Sequence, residues 1–248
     1  MFNEGLVDKS YLSYIHTVDS LLLIVQGKYT KSLEQANKAI EIEIENGLSP
    51  DNPLIIDNYI NKAEILIYLK EYHKAYAQLK QLSKFHKKED NAKFACIDTQ
   101  IARSELGMGK LDQALDHVNK AISIFLANEH RNPKNADYLE DPYLAASYVT
   151  QGDILFAQDN IKEAIESYNK AYSIYYYLYK DNRKNVAQVS YLYSQGAKAA
   201  CKAKNLFYYK FFGKSQVKEF GINHSNTVSM FEYCKQYNMD LWAKESLS

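Results

Sequence analysis

The chain contains few of the residues that interrupt helices, with only 9 Gly and 4 Pro among 248 residues. This scarcity disfavours an all-β sandwich, which needs many turns, and favours long helices. An excess of positive charge is also missing, because 30 basic residues face 30 acidic ones and only three of the basic residues are arginine. Nucleic-acid binders usually carry a basic excess, with arginine at the readout positions. We therefore expect no nucleic-acid partner.

No long apolar run is present either. The longest purely aliphatic run covers residues 21–25 and is too short to cross a bilayer. The N-terminus lacks the basic segment and apolar stretch of a secretory signal peptide. We expect a cytoplasmic protein without membrane insertion, while export by a route that needs no such signal stays open. Abundant Lys, Asn, Ile and Tyr beside scarce Arg are typical of an AT-rich genome and favour a bacterial source.

Cysteine is scarce, and no CxxC pair exists. Cys96, Cys201 and Cys234 lie far apart and are odd in number. This pattern predicts three reduced, buried thiols, as expected in the cytosol.

The motifs of common enzyme classes are absent. The six His residues form no HExxH spacing, and the chain contains neither GxxxxGK[ST] nor GxGxxG. Acidic residues at 41, 43 and 45 look like a solvated helix face, not like a catalytic pair. We expect no catalytic residue, no metal site and no cofactor, so the chain is interpreted as a non-enzyme.

One short phrase returns five times along the chain. A turn is followed by an aromatic or aliphatic residue, then by a small residue three positions later and a second one seven further on. The phrase begins at residues 27, 70, 109, 159 and 204, and it is weakest in the last copy, where Tyr209 and Gln216 replace the small residues. A repeated supersecondary unit decides the fold class, and apolar spacing of three and four residues around each turn predicts paired helices.

The repeated phrases resemble the tetratricopeptide repeat. Residues 26–29, 69–72 and 108–111 look like its turn, and residues 114–121 and 164–171 look like its second helix. The long units resemble the kinesin-light-chain type. The resemblance implies an all-α fold, a right-handed α-α superhelix of about five helical hairpins with a C-terminal capping helix. We expect a single domain over residues 1–248, with repeats at about 9–46, 52–87, 91–127, 142–179 and 184–220 and the capping helix at about 226–245.

The resemblance also implies where a ligand would bind. In the family, the first helices of the repeats line a concave groove that holds a peptide or a partner helix. Side-chain amides at Asn61, Gln100 and Gln195 suit the main chain of an extended peptide, and Arg103 suits a carboxylate. Ordinary solvated polar residues are the other interpretation of these positions. The predicted groove residues are Asn61, Glu64, Tyr68, Gln100, Arg103, Thr150, Asp153, Gln195 and Lys198, with Thr17, Leu21 and Ser194 on the same wall.

Two functions follow from the resemblance. The first is a non-catalytic interaction module that binds a peptide or protein segment in the groove. The second is a peptide-sensing regulator whose superhelix changes shape on ligand binding, although such regulators usually carry an effector domain before the repeats and we expect none before residue 9. Aromatic clusters at 175–179 and 207–212 pack between repeats in one interpretation and form a homo-dimer or partner-binding surface in the other.

Overall fold

The structure is a computed structural model that describes residues 9–85, 91–130, 141–179 and 186–239. Within these ranges the secondary structure consists of α-helices and one 3-10 turn at Ser83–Phe85, with no strand. The helices are α1 (Lys9–Val25), α2 (Tyr29–Glu45), α3 (Pro53–Tyr68), α4 (Tyr72–Leu82), α5 (Asn91–Gly107), α6 (Leu111–His130), α7 (Pro142–Ala157), α8 (Ile161–Tyr179), α9 (Ala187–Lys202), α10 (Leu206–Phe220) and α11 (Ser225–Lys235). The predicted all-α fold of helical hairpins is confirmed.

The chain divides into two compact units, Met1–His117 and Val118–Ser248. In the first unit, α1 packs on α2, α2 on α3, α3 on α4 and α4 on α5, and α5 also contacts α3. In the second unit, α7 packs on α8, α8 on α9, α9 on α10, and α11 lies mainly against α9. The predicted single domain stays a prediction. Among the described helices, none combines the length and apolar character needed to cross a membrane.

All five hairpin turns have the same backbone geometry. Gly27, Lys70, Gly109, Asp159 and Lys204 adopt left-handed conformations, with φ between 52 and 75°. In each turn, the next residue donates its N–H to a carbonyl five residues back at 2.8–2.9 Å. This bond closes the helix end as a Schellman-type cap. Glycine adopts the conformation without penalty, whereas the other three residues are disfavoured there by about 1 kcal/mol each.

Local signals also start the helices where the sequence predicts them. Asn52 precedes the first proline of α3, and its Oδ1 accepts the N–H of Leu54 at 3.0 Å. Asp141 precedes the first proline of α7, and its Oδ1 accepts the N–H of Tyr143 at 2.8 Å. Each side chain satisfies a backbone donor that the first helical turn leaves without a partner.

Small residues allow the paired helices to approach closely. The predicted packing residues Ala63, Ala102, Ala164 and Ala171 are all fully buried. A bulky side chain at these positions would have to displace a neighbouring helix, because the interior is close-packed.

Helix ends differ from the prediction at several places. α4 ends at Leu82 before the 3-10 turn, short of the predicted repeat end at residue 87. α6 continues to His130, past the predicted end at residue 127. The last helix was expected to reach residue 245, but α11 ends at Lys235. There the chain turns, because Asn238 is left-handed and the carbonyl of Cys234 accepts the N–H of Tyr237 at 3.0 Å. The remaining predicted part, residues 240–245, lies outside the described residues.

The prediction of three reduced cysteines is wrong for two of them. Cys201 in α9 and Cys234 in α11 are joined by a disulfide, with their Cα atoms 5.5 Å apart. Both are fully buried, as expected. Cys96 is a half-buried thiol on α5. The sequence separation of 33 residues gives no spacing motif, so only the packing of α11 on α9 shows the pair.

Candidate functional site

Four of the predicted groove residues meet in the first unit, where α3 and α5 lie side by side. Nη1 of Arg103 donates to Oε1 of Glu64 at 3.1 Å and to Oε1 of Gln100 at 2.9 Å. The hydroxyl of Tyr68 donates to the same Glu64 oxygen at 3.3 Å. The guanidinium lies 5.4 Å from the centre of the Tyr68 ring. We call Asn61, Glu64, Tyr68, Gln100 and Arg103 the α3–α5 polar face.

The surroundings of Arg103 keep its guanidinium charged. Burial lowers the pKa of Arg103, but Glu64 and Tyr68 outweigh burial and the pKa lies above its ordinary value. Burial, and next the charge of Glu64, raise the pKa of Tyr68. The Arg103 and Glu64 side chains are 24% and 31% exposed, so solvent still reaches the pair. A guanidinium fixed in this way presents a positioned cation with directed N–H donors.

The sequence prediction missed Tyr29. Its ring stacks on Tyr68, with centroids 4.8 Å apart and planes 9° from parallel. Tyr29 lies in residues 26–29, which the sequence predicts only as a repeat turn. The stack restricts the Tyr68 ring, which also contacts the Arg103 guanidinium. A possible signal was the recurrence of Tyr at residues 29 and 72 after equivalent turns.

Asn61 lies one turn before Glu64 and is almost fully buried between α3 and α1. Its Nδ2 donates to Oγ of Ser20 at 3.3 Å. Its Oδ1 is buried and has no hydrogen-bond partner among the described residues. A buried acceptor without a donor costs free energy on the order of 1–3 kcal/mol. Because the oxygen is buried, a ligand N–H reaches it only if a covering side chain moves.

In the second unit, Asp153 on α7 is held by two tyrosines. The hydroxyl of Tyr168 donates to its Oδ1 at 2.8 Å, and that of Tyr191 donates to its Oδ2 at 2.9 Å. Burial, and next Asp153, raise the pKa of Tyr168 well above its ordinary value. Tyr191 was not among the predicted residues. The position of the Asp153 carboxylate is therefore fixed, because both of its oxygens already accept hydrogen bonds.

The predicted groove residues Ser194 and Lys198 on α9 are covered by α11. The hydroxyl of Ser194 donates to the carbonyl of Asn226 at 3.0 Å, and Nζ of Lys198 donates to Oγ of Ser229 at 2.9 Å. Burial lowers the pKa of Lys198, and Asp153 offsets only part of this effect. Two residues predicted to meet a partner protein therefore meet α11 of the same chain.

The other two predicted residues of the second unit contribute less. Thr150 is buried, and its hydroxyl donates to the carbonyl of Ala146 in its own helix at 2.9 Å. Gln195 is half-buried on α9. The α3–α5 polar face is therefore the stronger candidate site.

Most rings of the two predicted aromatic clusters are buried or half-buried. Tyr172 contacts Phe211 at 4.6 Å between ring centroids, edge to face, and Tyr175 is 3% exposed. Two large rings of the clusters remain outside, because Tyr176 is 51% and Phe207 is 71% exposed. The packing interpretation accounts for the inward rings.

Comparison with known proteins supports the fold. Residues 145–176, which lie in α7 and α8, match the family model of the tetratricopeptide repeat. No curated protein matches the chain. The predicted resemblance to tetratricopeptide repeats, including the kinesin-light-chain type, is confirmed by this match and by solved structures.

Three solved structures illustrate the likeness. A Rap protein complexed with Competence and Sporulation Factor superposes with a TM-score of 0.67 at 13% identity, over 95% of this chain and 67% of that one. BtubC from P. vanneervenii superposes with a TM-score of 0.61 at 13% identity, over 89% of this chain and 85% of that one. Kinesin light chain TPR-like repeats from Podosopora anserina superpose with a TM-score of 0.57 at 15% identity, over 86% of this chain and 98% of that one. At such identities the likeness shows the fold alone.

Proposed function

We propose that this protein is a non-catalytic interaction module that binds an extended peptide or protein segment on the α3–α5 polar face. The observation that carries the proposal is the cluster in which Glu64 and Gln100 hold the Arg103 guanidinium in place while solvent still reaches it. An extended chain offers carboxylates or carbonyls to the guanidinium. Rigid positioning of this cation reduces the ordering cost of binding.

The ligand we expect is an extended segment with an acidic group near its main-chain contact. Nη1 of Arg103 is already shared by Glu64 and Gln100, so we expect a ligand carboxylate to use the other guanidinium N–H donors. The Tyr29–Tyr68 stack adds apolar contact area near the charge, because the guanidinium lies against the Tyr68 ring. This combination favours a peptide with an acidic residue and an apolar neighbour.

Selection of a phage-displayed random peptide library on the immobilised protein tests the proposal. Peptides that bind should lose at least about tenfold affinity to Asn61→Ala and to Arg103→Ala, since each removes about one charge-assisted or buried hydrogen bond. Lys93→Ala is the matched control, because Lys93 forms an ion pair with Asp57 at 2.8 Å outside the polar face. Equal binding by all three variants would place the ligand elsewhere.

The peptide-sensing regulator is the second candidate. The likeness to a Rap protein complexed with Competence and Sporulation Factor, over 95% of this chain, favours it. A sensor must bind its ligand more tightly in one shape than in another. Small-angle scattering with a selected peptide should then show a changed radius of gyration, whereas a rigid module would keep its radius.

We propose that the protein is cytoplasmic, and the redox state of Cys201 and Cys234 in cells tests this location. Disulfides persist in oxidising compartments and are rare in the cytosol. Alkylating thiols in intact cells before denaturation, followed by mass spectrometry, would report the state of Cys201 and Cys234. Alkylated cysteines support the cytoplasm, and a protected pair points to an oxidising compartment.

Self-association through the aromatic surface of α8 and α10 now depends on Tyr176 and Phe207, the two large rings of these clusters that stay exposed. Two rings supply at most about 300 Å² of apolar area per copy, well below the roughly 800 Å² typical of a stable interface. Loss of a dimer in Phe207→Glu would support this surface.

A further inference from the structure

Helix α1 has polar residues on its buried face, the reverse of the usual arrangement. Its buried face carries hydroxyls: Ser13 donates to Oε1 of Glu43 at 2.8 Å, and Ser20 hydrogen-bonds Ser32 at 3.1 Å. Thr17 lies between them and donates to Oδ1 of Asn58 at 2.8 Å. A surface helix normally turns its apolar stripe inward and its polar side outward. In α1 the polar residues are the ones that pack against α2 and α3.

The outward side of α1 is apolar instead. Its residues recur at intervals of three and four and fall within an arc of about 120° at 100° per residue. Tyr14 is 64%, Leu22 is 54% and Val25 is 78% exposed, and Val18 at the midpoint is half-buried. We call this surface the α1 stripe; it consists of Tyr11, Tyr14, Ile15, Val18, Leu21, Leu22 and Val25.

The α1 stripe carries no charge. In the whole of α1 the only formally charged residues are Lys9 and Asp19, and neither belongs to the stripe. The complete chain is also neutral, with 30 basic and 30 acidic residues. In a two-fold interface every residue meets the same surface of the partner, so a charged stripe would repel its own copy. A neutral stripe on a neutral protein does not, and low net charge favours association.

We propose that the α1 stripe is a homo-dimer interface, in which α1 packs on α1 of a second copy about a two-fold axis. The exposed fractions correspond to roughly 600 Å² of apolar surface on each copy. That is near the upper end of the largest apolar patch on a typical monomer and close to the roughly 800 Å² per partner of a standard interface. The proposal does not depend on the peptide-binding function.

The two helices run antiparallel in this dimer. The stripe has large rings at its N-terminal end, Tyr11 and Tyr14, and smaller aliphatic groups at its C-terminal end, Leu22 and Val25. Antiparallel pairing centred on Val18 places rings opposite aliphatic groups, which fills space evenly. Parallel pairing would set ring against ring and Val against Val. Antiparallel helix dipoles also attract.

Sedimentation velocity and light scattering test the dimer. The wild-type protein should dimerise with a Kd below about 100 µM, and Leu22→Glu should raise this Kd at least about 100-fold, because the axis brings two buried carboxylates into one apolar interface. Leu54→Glu, which charges an exposed side chain on α3, is the matched control and should dimerise like the wild type. Circular dichroism confirms that both variants fold.

Cysteine cross-linking tests the geometry, in a Cys96→Ser background that leaves the disulfide intact. Val18→Cys should form a cross-linked dimer on mild oxidation, because the two copies of residue 18 face each other at the axis. Tyr11→Cys should not, since seven residues of 1.5 Å rise on each side separate its copies by about 20 Å, far beyond disulfide reach.

A wild-type protein that stays monomeric up to about 100 µM would overturn the proposal, and the stripe would then belong to a different partner. A dimer that Phe207→Glu dissociates and Leu22→Glu does not would also overturn it, in favour of the aromatic surface. Cross-linking through Tyr11→Cys in place of Val18→Cys would refute the antiparallel arrangement.

Discussion

Adding one methyl group at Gly152 should destabilise the protein, although glycine is a poor helix former. Gly152 lies within α7, and a Cβ built there would be 2.5 Å from a ring carbon of Tyr168. That ring is fully buried, and its hydroxyl is fixed by Asp153 at 2.8 Å. Gly213 within α10 is the matched control, because a Cβ there would be 3.6 Å from its nearest neighbour, an ordinary contact.

The expected magnitudes have opposite signs at the two sites. Ala is favoured over Gly inside a helix by about 0.5–1 kcal/mol, and overpacking a core costs about 1–3 kcal/mol. Gly152→Ala should therefore lower the free energy of unfolding by about 1–2 kcal/mol. Gly213→Ala introduces the better helix former without a clash, so it should raise the free energy of unfolding by about 0.5–1 kcal/mol.

Thermal unfolding followed by circular dichroism measures the difference. At about 2–4 °C per kcal/mol for a chain of this size, the two variants should melt several degrees apart, on opposite sides of the wild type. Removing the ring should reverse the sign, so in a Tyr168→Ala background Gly152→Ala should become stabilising. A Gly152→Ala protein that melts above the wild type would refute the close approach of α7 and α8.

Three further predictions concern stability. Replacing Cys201 and Cys234 by Ser should lower the free energy of unfolding by about 3–4 kcal/mol, the entropy of closing a segment with a separation of 33 residues; an unchanged denaturation midpoint would contradict the cross-link. Glu43→Ala should lower the free energy of unfolding by about 1–3 kcal/mol, because Nδ2 of Asn58 loses its acceptor at 2.8 Å. Glu43→Gln keeps an acceptor, so in a urea titration it should lower the free energy of unfolding by less. Burial raises the pKa of Glu105, so the folded chain holds this proton more tightly than the unfolded chain. The free energy of unfolding should then fall as pH rises above the ordinary pKa of about 4.5. The melting temperature of Glu105→Gln should therefore rise relative to that of the wild type over the same pH range. A difference in melting temperature that stays constant with pH would contradict the raised pKa.

The candidate site was partly predictable from the sequence. The repeat register named Glu64, Tyr68, Gln100 and Arg103 as neighbours on one wall, and they do form one hydrogen-bonded cluster. It did not indicate Tyr29, because the same residue type at a turn serves packing in one repeat and a ring stack in another. It also placed Lys198 toward a partner, whereas Lys198 donates to Ser229 of α11.

The sequence by itself determined the helices and their turns, because these depend on bonds between near neighbours. Gly27 and Asp159 end up in the same left-handed conformation, closed by a hydrogen bond over five residues, and the caps at Asn52 and Asp141 act over two. Nothing beyond a short window is needed to specify such contacts.

Only the tertiary structure decided which side chains meet across dozens of residues. The disulfide joins residues 33 apart, and the Arg103–Glu64 pair joins residues 39 apart. One residue rotates a helix face by about 100°, so the partner of a side chain depends on how each helix is turned as it packs. The outward apolar stripe of α1 shows this most clearly, because its residues alone predict a buried face and the packing of Ser13 and Ser20 against α2 puts that face outside.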